Sequence, residues 1–175
     1  MSLPKNIMDN FPNRSIFTES LISLLSIANP LVSNKMKDTE LRQERDRDLY
    51  RTYVRGLREK NFSSLQEAAE WAISQPAERF YVSSKVLVNY IASRRAGASE
   101  DGMHKANRDR MRELYDRFIA FCTANPSCQL PRERICEALV DEPAPRFYID
   151  LQMAMKVIQR ERLRHRQELI NRINR

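Results

Sequence analysis

The sequence predicts an all-α protein: a tandem duplication of one three-helix unit, with an extra N-terminal helix and a long C-terminal helix. Three observations support this prediction. Only three of the 175 residues are glycine, which is too few for a β fold with many tight turns. The chain is 42% hydrophobic and 30% charged, and its apolar residues recur at helical spacing, as expected for a folded helical protein. The third observation is an internal repeat.

The repeat is clearest in residues 75–83, where the sequence QPAERFYVS returns at 142–150 as EPAPRFYID. We call these two stretches the first and second repeat segments. Equivalent residues lie 65 positions apart before the repeat segments and 67 positions apart from them onward. The second copy therefore carries a two-residue insertion, which fits the polar loop at 124–129. Such a repeat predicts two copies of one supersecondary unit.

Each copy is predicted to contain a long helix, a short helix and, after its repeat segment, a third helix. Ser64 and Glu67 form a capping box at the start of the first short helix. Asp150 occupies the same helix-cap position in the second copy as Ser83 in the first. The predicted helices cover about 38–60, 64–74 and 84–96 in the first copy, and 103–124, 131–141 and 150–175 in the second.

These helices divide the chain into four parts. The predicted parts are an N-terminal arm with a short helix (1–37), a first helical unit (38–96), a linker (97–102) and a second helical unit (103–175). The linker is rich in glycine and small polar residues, which are typical of turns and loops. The N-terminal helix, capped by Thr18, has no counterpart in the second copy, and we expect it to cover one end of the core or to mediate a homodimer.

Both repeat segments carry a Phe-Tyr pair, at Phe80-Tyr81 and Phe147-Tyr148. We expect these aromatic side chains to fill the core beneath an irregular turn, because each buries a large apolar area. The alternative interpretation is that they stack on nucleic-acid bases.

The three cysteines, Cys122, Cys128 and Cys136, raise the question of a zinc site. Cys122 and Cys136 align with apolar positions of the first copy, where cysteine behaves as a small hydrophobe. His104 and His165 do not complete a metal-ligand spacing. We therefore predict no metal site, and the odd number of cysteines favours a reducing, cytoplasmic compartment over a disulfide framework.

The positive charge of the chain is concentrated in the two third helices. Residues 83–96 contain three basic residues and no acidic residue, and residues 151–175 contain seven basic and two acidic residues. The net charge of these two segments exceeds the +7 of the whole chain. Such segregation favours an anionic partner, with nucleic acid as the first candidate. A charged face that contacts only solvent, a membrane surface and an acidic protein are the alternatives.

The short and third helices of each copy resemble helix-turn-helix DNA-binding domains. The resemblance depends on Ala68 and Ala69 in the short helix and on residues 82–87 leading into the third helix, and it covers about 50 residues in each copy. The turn is about eight residues long, whereas three or four are usual. The resemblance implies that the third helices present donor side chains to phosphates and base edges.

The candidate contact residues are the polar side chains opposite the apolar faces of the third helices. They are Lys85, Asn89, Arg94, Arg95, Gln152, Lys156, Gln159, Arg160 and Arg164.

No catalytic constellation is recognisable in the sequence, so we expect neither an enzyme nor a cofactor. The carboxylates of residues 38–59 alternate with basic residues, which predicts a solvated, salt-bridged helix. No apolar run reaches the roughly 18 residues of a membrane span.

The sequence thus predicts a non-enzymatic nucleic-acid-binding protein, with double-stranded DNA as the expected ligand and a regulatory or accessory role in DNA transactions. The alternative is a helical adaptor or oligomerisation protein whose third helices bind another protein.

Overall fold

A computed structural model describes residues 38–174, which form six α-helices and no strand. The predicted all-α class is confirmed for this part of the chain, and the predicted N-terminal helix lies outside the described residues. The helices are α1 Asp38–Glu59, α2 Leu65–Ser74, α3 Ser84–Arg95, α4 Lys105–Ala124, α5 Arg132–Asp141 and α6 Leu151–Ile173.

Local capping fixes where several helices begin. The Ser64 hydroxyl accepts a hydrogen bond from the Glu67 amide at 3.1 Å, while the Glu67 carboxylate accepts one from the Ser63 amide at 2.7 Å. The predicted box is therefore present, with Ser63 instead of Ser64 as the reciprocal donor. Asp150 caps α6 by accepting from the Met153 amide at 2.7 Å. Its equivalent in the first copy, Ser83, makes no side-chain cap bond.

The two repeat segments cross each other in opposite directions at the centre of the fold. The amides of Ala77 and Ala144 each donate to the carbonyl of the other, both at 3.0 Å. The Phe80 amide then donates to the Val140 carbonyl at 3.2 Å, and the Phe147 amide donates to the Ile73 carbonyl at 3.0 Å. Positions 80 and 147 are equivalent in the sequence repeat, as are 73 and 140, so the two bonds match.

Because the repeat segments cross, each third helix packs against the other half of the molecule. Helix α3 packs on α4 and α5, and α6 packs on α1 and α2. A helix-turn-helix would instead require α2 to pack mainly on α3, and α5 on α6. That arrangement is not the observed one: the nine residues between Ser74 and Ser84, and between Asp141 and Leu151, carry the chain across the molecule. The buried side chains of both halves form one hydrophobic core.

The aromatic residues of the repeat segments lie inside this core. Phe80 and Phe147 are 2% and 3% exposed, so the predicted burial of both is confirmed. The Phe80 ring stacks on Tyr148 with 5.9 Å between centroids, and Tyr81 stacks on Phe147 with 6.5 Å. Each stack joins one repeat segment to the other. The aromatic pairs therefore hold the two crossing segments together.

Cys122, Cys128 and Cys136 are free thiols in the structure. Cys136 is buried in the core, and Cys122 and Cys128 are partly buried. Burial raises the pKa of the Cys136 thiol to about 12, so this thiol stays protonated at neutral pH and behaves as an apolar side chain.

Gly56 allows α1 and α2 to approach closely. A Cβ atom at this position would overlap the ring of Trp71. Trp71 is partly buried and also contacts Phe62, with 5.8 Å between the ring centroids. The absence of a side chain at Gly56 thus creates the space that the tryptophan occupies.

The segment predicted as a linker, residues 97–102, is anchored to the helices around it. The Glu100 carboxylate accepts hydrogen bonds from Arg112 Nε at 2.7 Å and from the Tyr90 hydroxyl, and lies 3.5 Å from Arg94. The bonds from Arg112 and Tyr90 lower the pKa of Glu100. Gly97 and Gly102 adopt positive φ angles of 75° and 84°, which glycine adopts without steric cost.

Candidate nucleic-acid interface

All nine candidate contact residues are exposed at the surface. This agrees with the helical periodicity, because the opposite faces supply the buried residues of α3 and α6. On α3 these are Leu87 and Ile91, and on α6 they are Ala154, Val157 and Ile158. The structure brings the candidates together as two groups, one on each third helix, and the two helices pack on different neighbours.

Three of the candidate arginines form ion pairs within the protein. Arg94 lies 3.5 Å from Glu100, with its guanidinium over the Tyr115 ring at 5.7 Å. Arg164 lies 3.8 Å from Glu161 and 3.3 Å from Glu168. These pairs reduce the positive charge that the two side chains offer to a ligand.

The third of these arginines, Arg160, holds a buried carboxylate. Its guanidinium donates to Asp46 at 2.6 Å, and Arg45 donates to the other oxygen of Asp46 at 2.6 Å. The hydrogen bond to Asp46 raises the pKa of Arg160. Asp46 is 4% exposed, and an unpaired carboxylate at such a depth would be destabilising. Arg160 therefore has a structural role that joins α6 to α1.

The prediction that the carboxylates of α1 are solvated is wrong at two positions, Asp46 and Asp48, which are both buried. The Asp48 carboxylate is buried, accepts a hydrogen bond from the Tyr81 hydroxyl at 2.5 Å and accepts another from the Glu78 amide at 3.2 Å. Both carboxylates are buried because α6 and the first repeat segment pack against α1. Arg160, Tyr81 and Glu78 lie far from these carboxylates in the sequence, so local charge alternation could not reveal the burial.

Tyr81 is held in an uncommon backbone conformation, with φ at 50°. Its hydroxyl is fixed by Asp48, and its carbonyl accepts a hydrogen bond from Arg110 at 3.1 Å. Burial, with the Asp48 hydrogen bond and charge, raises the pKa of Tyr81. Contacts from both halves of the molecule therefore hold Tyr81 in this strained conformation, three residues before α3 begins.

Lys85, Asn89, Gln152, Lys156 and Gln159 are the candidates best placed to contact a ligand. All are exposed, and the ion pairs in the described part of the chain are made by side chains other than Lys85 and Lys156. Amide and ammonium groups of this kind donate hydrogen bonds to phosphate oxygens and base edges.

Three basic residues on α6 that were not predicted as contacts are also exposed in the structure. These are Arg162, Arg166 and Arg172. Their position in the basic segment 151–175 is the sequence feature that could have indicated them. The structure adds that α6 continues as a helix past its last buried residue, Ile158, to Ile173, so these side chains are presented on its outer half.

A surface groove lies away from these faces, between α2, α4 and the second repeat segment. It has a volume of about 570 Å³ and is bordered by Glu70, Asp109, Glu113, Arg146 and Tyr148, among others. Arg146 already pairs with Asp109 at 3.0 Å. Within residues 38–174 no group of three or more His, Cys, Asp or Glu side chains is arranged to hold a metal ion. None of the helices in that range has both the length and the apolar character for crossing a bilayer.

Comparison with known proteins finds no matching family model, no matching curated protein and no matching solved structure.

Proposed function

We propose that the protein binds nucleic acid without catalysing a reaction, and that its ligand is double-stranded DNA. The supporting observation is the exposed polar row Gln152, Lys156 and Gln159 on α6. These residues are four and three positions apart, so they lie on one face of the helix. The face is opposite the buried Ala154 and Ile158, and its lysine has no acidic partner in the described residues.

The dimensions of α6 suit this ligand. Its 23 residues correspond to a length of about 34 Å, and the major groove of DNA accommodates one α-helix. Helix α3 supplies a second, smaller contact through Lys85 and Asn89. A regulator or an accessory factor in DNA transactions would use contacts of this type.

The two third helices form a matched pair in this proposal. We infer that the halves are copies of one unit whose crossing repeat segments exchange their third helices. The support is the sequence repeat together with the matched hydrogen bonds and ring stacks at the crossing. Homodimeric regulators likewise present two equivalent helices to a site with two-fold symmetry. The different side chains at equivalent positions, such as Lys85 and Gln152, suit an asymmetric site.

The double substitution Lys85→Gln and Lys156→Gln tests this interface. We expect the folded variant to bind duplex DNA more weakly and the slope of log affinity against log salt to fall by about one unit for each lost phosphate contact. Fluorescence anisotropy with a labelled duplex, at several salt concentrations, measures both quantities.

The matched control is Arg42→Gln with Lys105→Gln, which also removes two exposed positive charges but lies outside both third helices. We expect this control to retain the salt slope of the unmodified protein. Equal slopes for the two double variants would contradict the proposed interface. Thermal melts of both should coincide with that of the unmodified protein, because exposed substitutions usually change stability by less than about 0.5 kcal/mol.

A further inference from the structure

The second half of α6 exposes large apolar side chains that the DNA proposal does not use. Leu163 is 68% exposed, Leu169 is 46%, Ile170 is 41% and Ile173 is 82%. A single exposed leucine is ordinary, whereas four within 11 residues of one helix form a patch of the kind that marks an interaction site.

Most of these apolar residues form one row along the helix. Leu163, Arg166, Ile170 and Ile173 are separated by three, four and three positions, which is the spacing of a coiled-coil seam. The opposite side of the helix faces α1, where His165 lies 6.5 Å from the Tyr50 ring, measured between centroids. The row, which we call the outer seam, therefore points away from the body of the protein.

Positive charge lies within and beside the outer seam. Arg166 is a member of the row, and Arg162 precedes it by one helical turn. In the described part of the chain, the ion pairs of this half-helix are made by Arg164, with Glu161 and Glu168. Arg162 and Arg166 are thus available to carboxylates of a partner.

The combination of apolar and basic side chains on the outer seam disfavours three other ligands for this surface. A second copy would bring equal seams and their arginines together, and like charges repel. A bilayer would have to accept Arg162 and Arg166 from within the apolar arc of the helix, although basic residues of membrane-surface helices lie on the polar face. The phosphates of a nucleic acid would make no apolar contact with the leucine and isoleucine side chains of the seam.

We propose that the outer seam binds an acidic amphipathic helix of a partner protein. Apolar side chains of the partner would cover Leu163 and Ile170, and its Asp or Glu residues would pair with Arg162 and Arg166 through charge-assisted hydrogen bonds. The proposal does not rest on DNA binding, which is proposed for α3 and the first half of α6, although the outer seam continues the same helix face as Gln152, Lys156 and Gln159. The seam is about 16 Å long, so the interface is small and the complex is expected to be transient.

A designed peptide probes this surface directly. It carries three heptads with Leu at the a and d positions and Glu at the e and g positions, and a matched peptide carries Lys in place of Glu. We expect the full chain to bind the acidic peptide, with an affinity that falls as salt is added, and to bind the basic peptide at least about tenfold more weakly.

Two variants separate the apolar and charged contributions. Leu163→Gln with Ile170→Gln removes apolar contacts and keeps the positive charge. Arg162→Gln with Arg166→Gln removes the positive charge and keeps the apolar contacts. Each is expected to weaken binding of the acidic peptide by about tenfold or more, as for central interface residues. Leu130→Gln, an exposed apolar residue elsewhere, is the control and should leave binding unchanged.

The proposal is overturned if the acidic peptide does not bind, or if both peptides bind equally. It is also overturned if the Leu163 and Ile170 substitutions abolish self-association in analytical ultracentrifugation or binding to vesicles of anionic lipid, since the seam would then serve a second copy or a membrane. Circular dichroism confirms that each variant is folded. Duplex DNA binding, measured in parallel, reports separately on the proposed function.

Discussion

Replacing Phe80 by alanine is expected to lower the free energy of unfolding by about 3–5 kcal/mol, the usual cost of removing a buried phenylalanine side chain. The ring is 2% exposed, stacks on Tyr148 and lies under the Arg117 guanidinium at 4.8 Å. Tyr148 belongs to the other repeat segment, so the substitution loosens the crossing as well as the core. Urea denaturation followed by circular dichroism measures the change.

Phe147→Ala is the matched substitution, because Phe147 is equally buried and stacks on Tyr81. We expect the two variants to be destabilised to a similar degree. Phe80→Leu serves as a milder control that keeps most of the apolar volume. A Phe80→Ala variant with unchanged stability but no DNA binding would contradict burial as its role and would favour base stacking.

Asp48→Ala is expected to be the most damaging substitution after the two phenylalanine replacements. It removes the acceptor of the Tyr81 hydroxyl and of the Glu78 amide. A buried donor left without an acceptor costs about 1–3 kcal/mol, and the positive φ of Tyr81 would lose one of its restraints. We expect a loss of about 3 kcal/mol in the free energy of unfolding, measured by denaturant titration.

A double-mutant cycle with Tyr81→Phe isolates the hydrogen bond. Once Tyr81→Phe has removed the hydroxyl, Asp48→Ala should cost less than it does alone, because residues in direct contact are energetically coupled. Additive effects of the two substitutions would show that the Asp48–Tyr81 contact does not contribute to stability.

Features that depend on near neighbours in the sequence could be predicted. Ser64 and Asp150 act as caps because capping is decided within three residues. The burial of Phe80 and Phe147 followed from their equivalent places in the repeat.

Features that depend on how the halves meet could not be predicted. Arg160 and Asp46 are 114 positions apart, and nothing near Asp46 in the sequence shows that the carboxylate is buried. The crossing of the repeat segments likewise depends on contacts between residues that are far apart in the sequence. A nine-residue connection allows a third helix to pack on its own short helix or on the other one. The structure has the second arrangement, with Ala77 paired to Ala144 where the segments cross.

The exposure of the apolar side chains in the outer seam was not predicted either, for a different reason. Leu163, Ile170 and Ile173 lie in a segment whose basic residues dominate its composition. Helical spacing alone would have assigned these apolar residues to the core. The structure shows that they face outward, because the inner face of this half-helix is occupied by Glu161 and His165 beside α1.

The most direct test of the central proposal is a titration of the 175-residue chain with duplex DNA at roughly 50 and 200 mM salt. If the third helices make about four phosphate contacts, the affinity should fall about a hundredfold between these two concentrations, because each contact releases bound counterions. Binding that does not change with salt, or no binding at the lower concentration, would contradict the proposal that the basic third helices bind DNA.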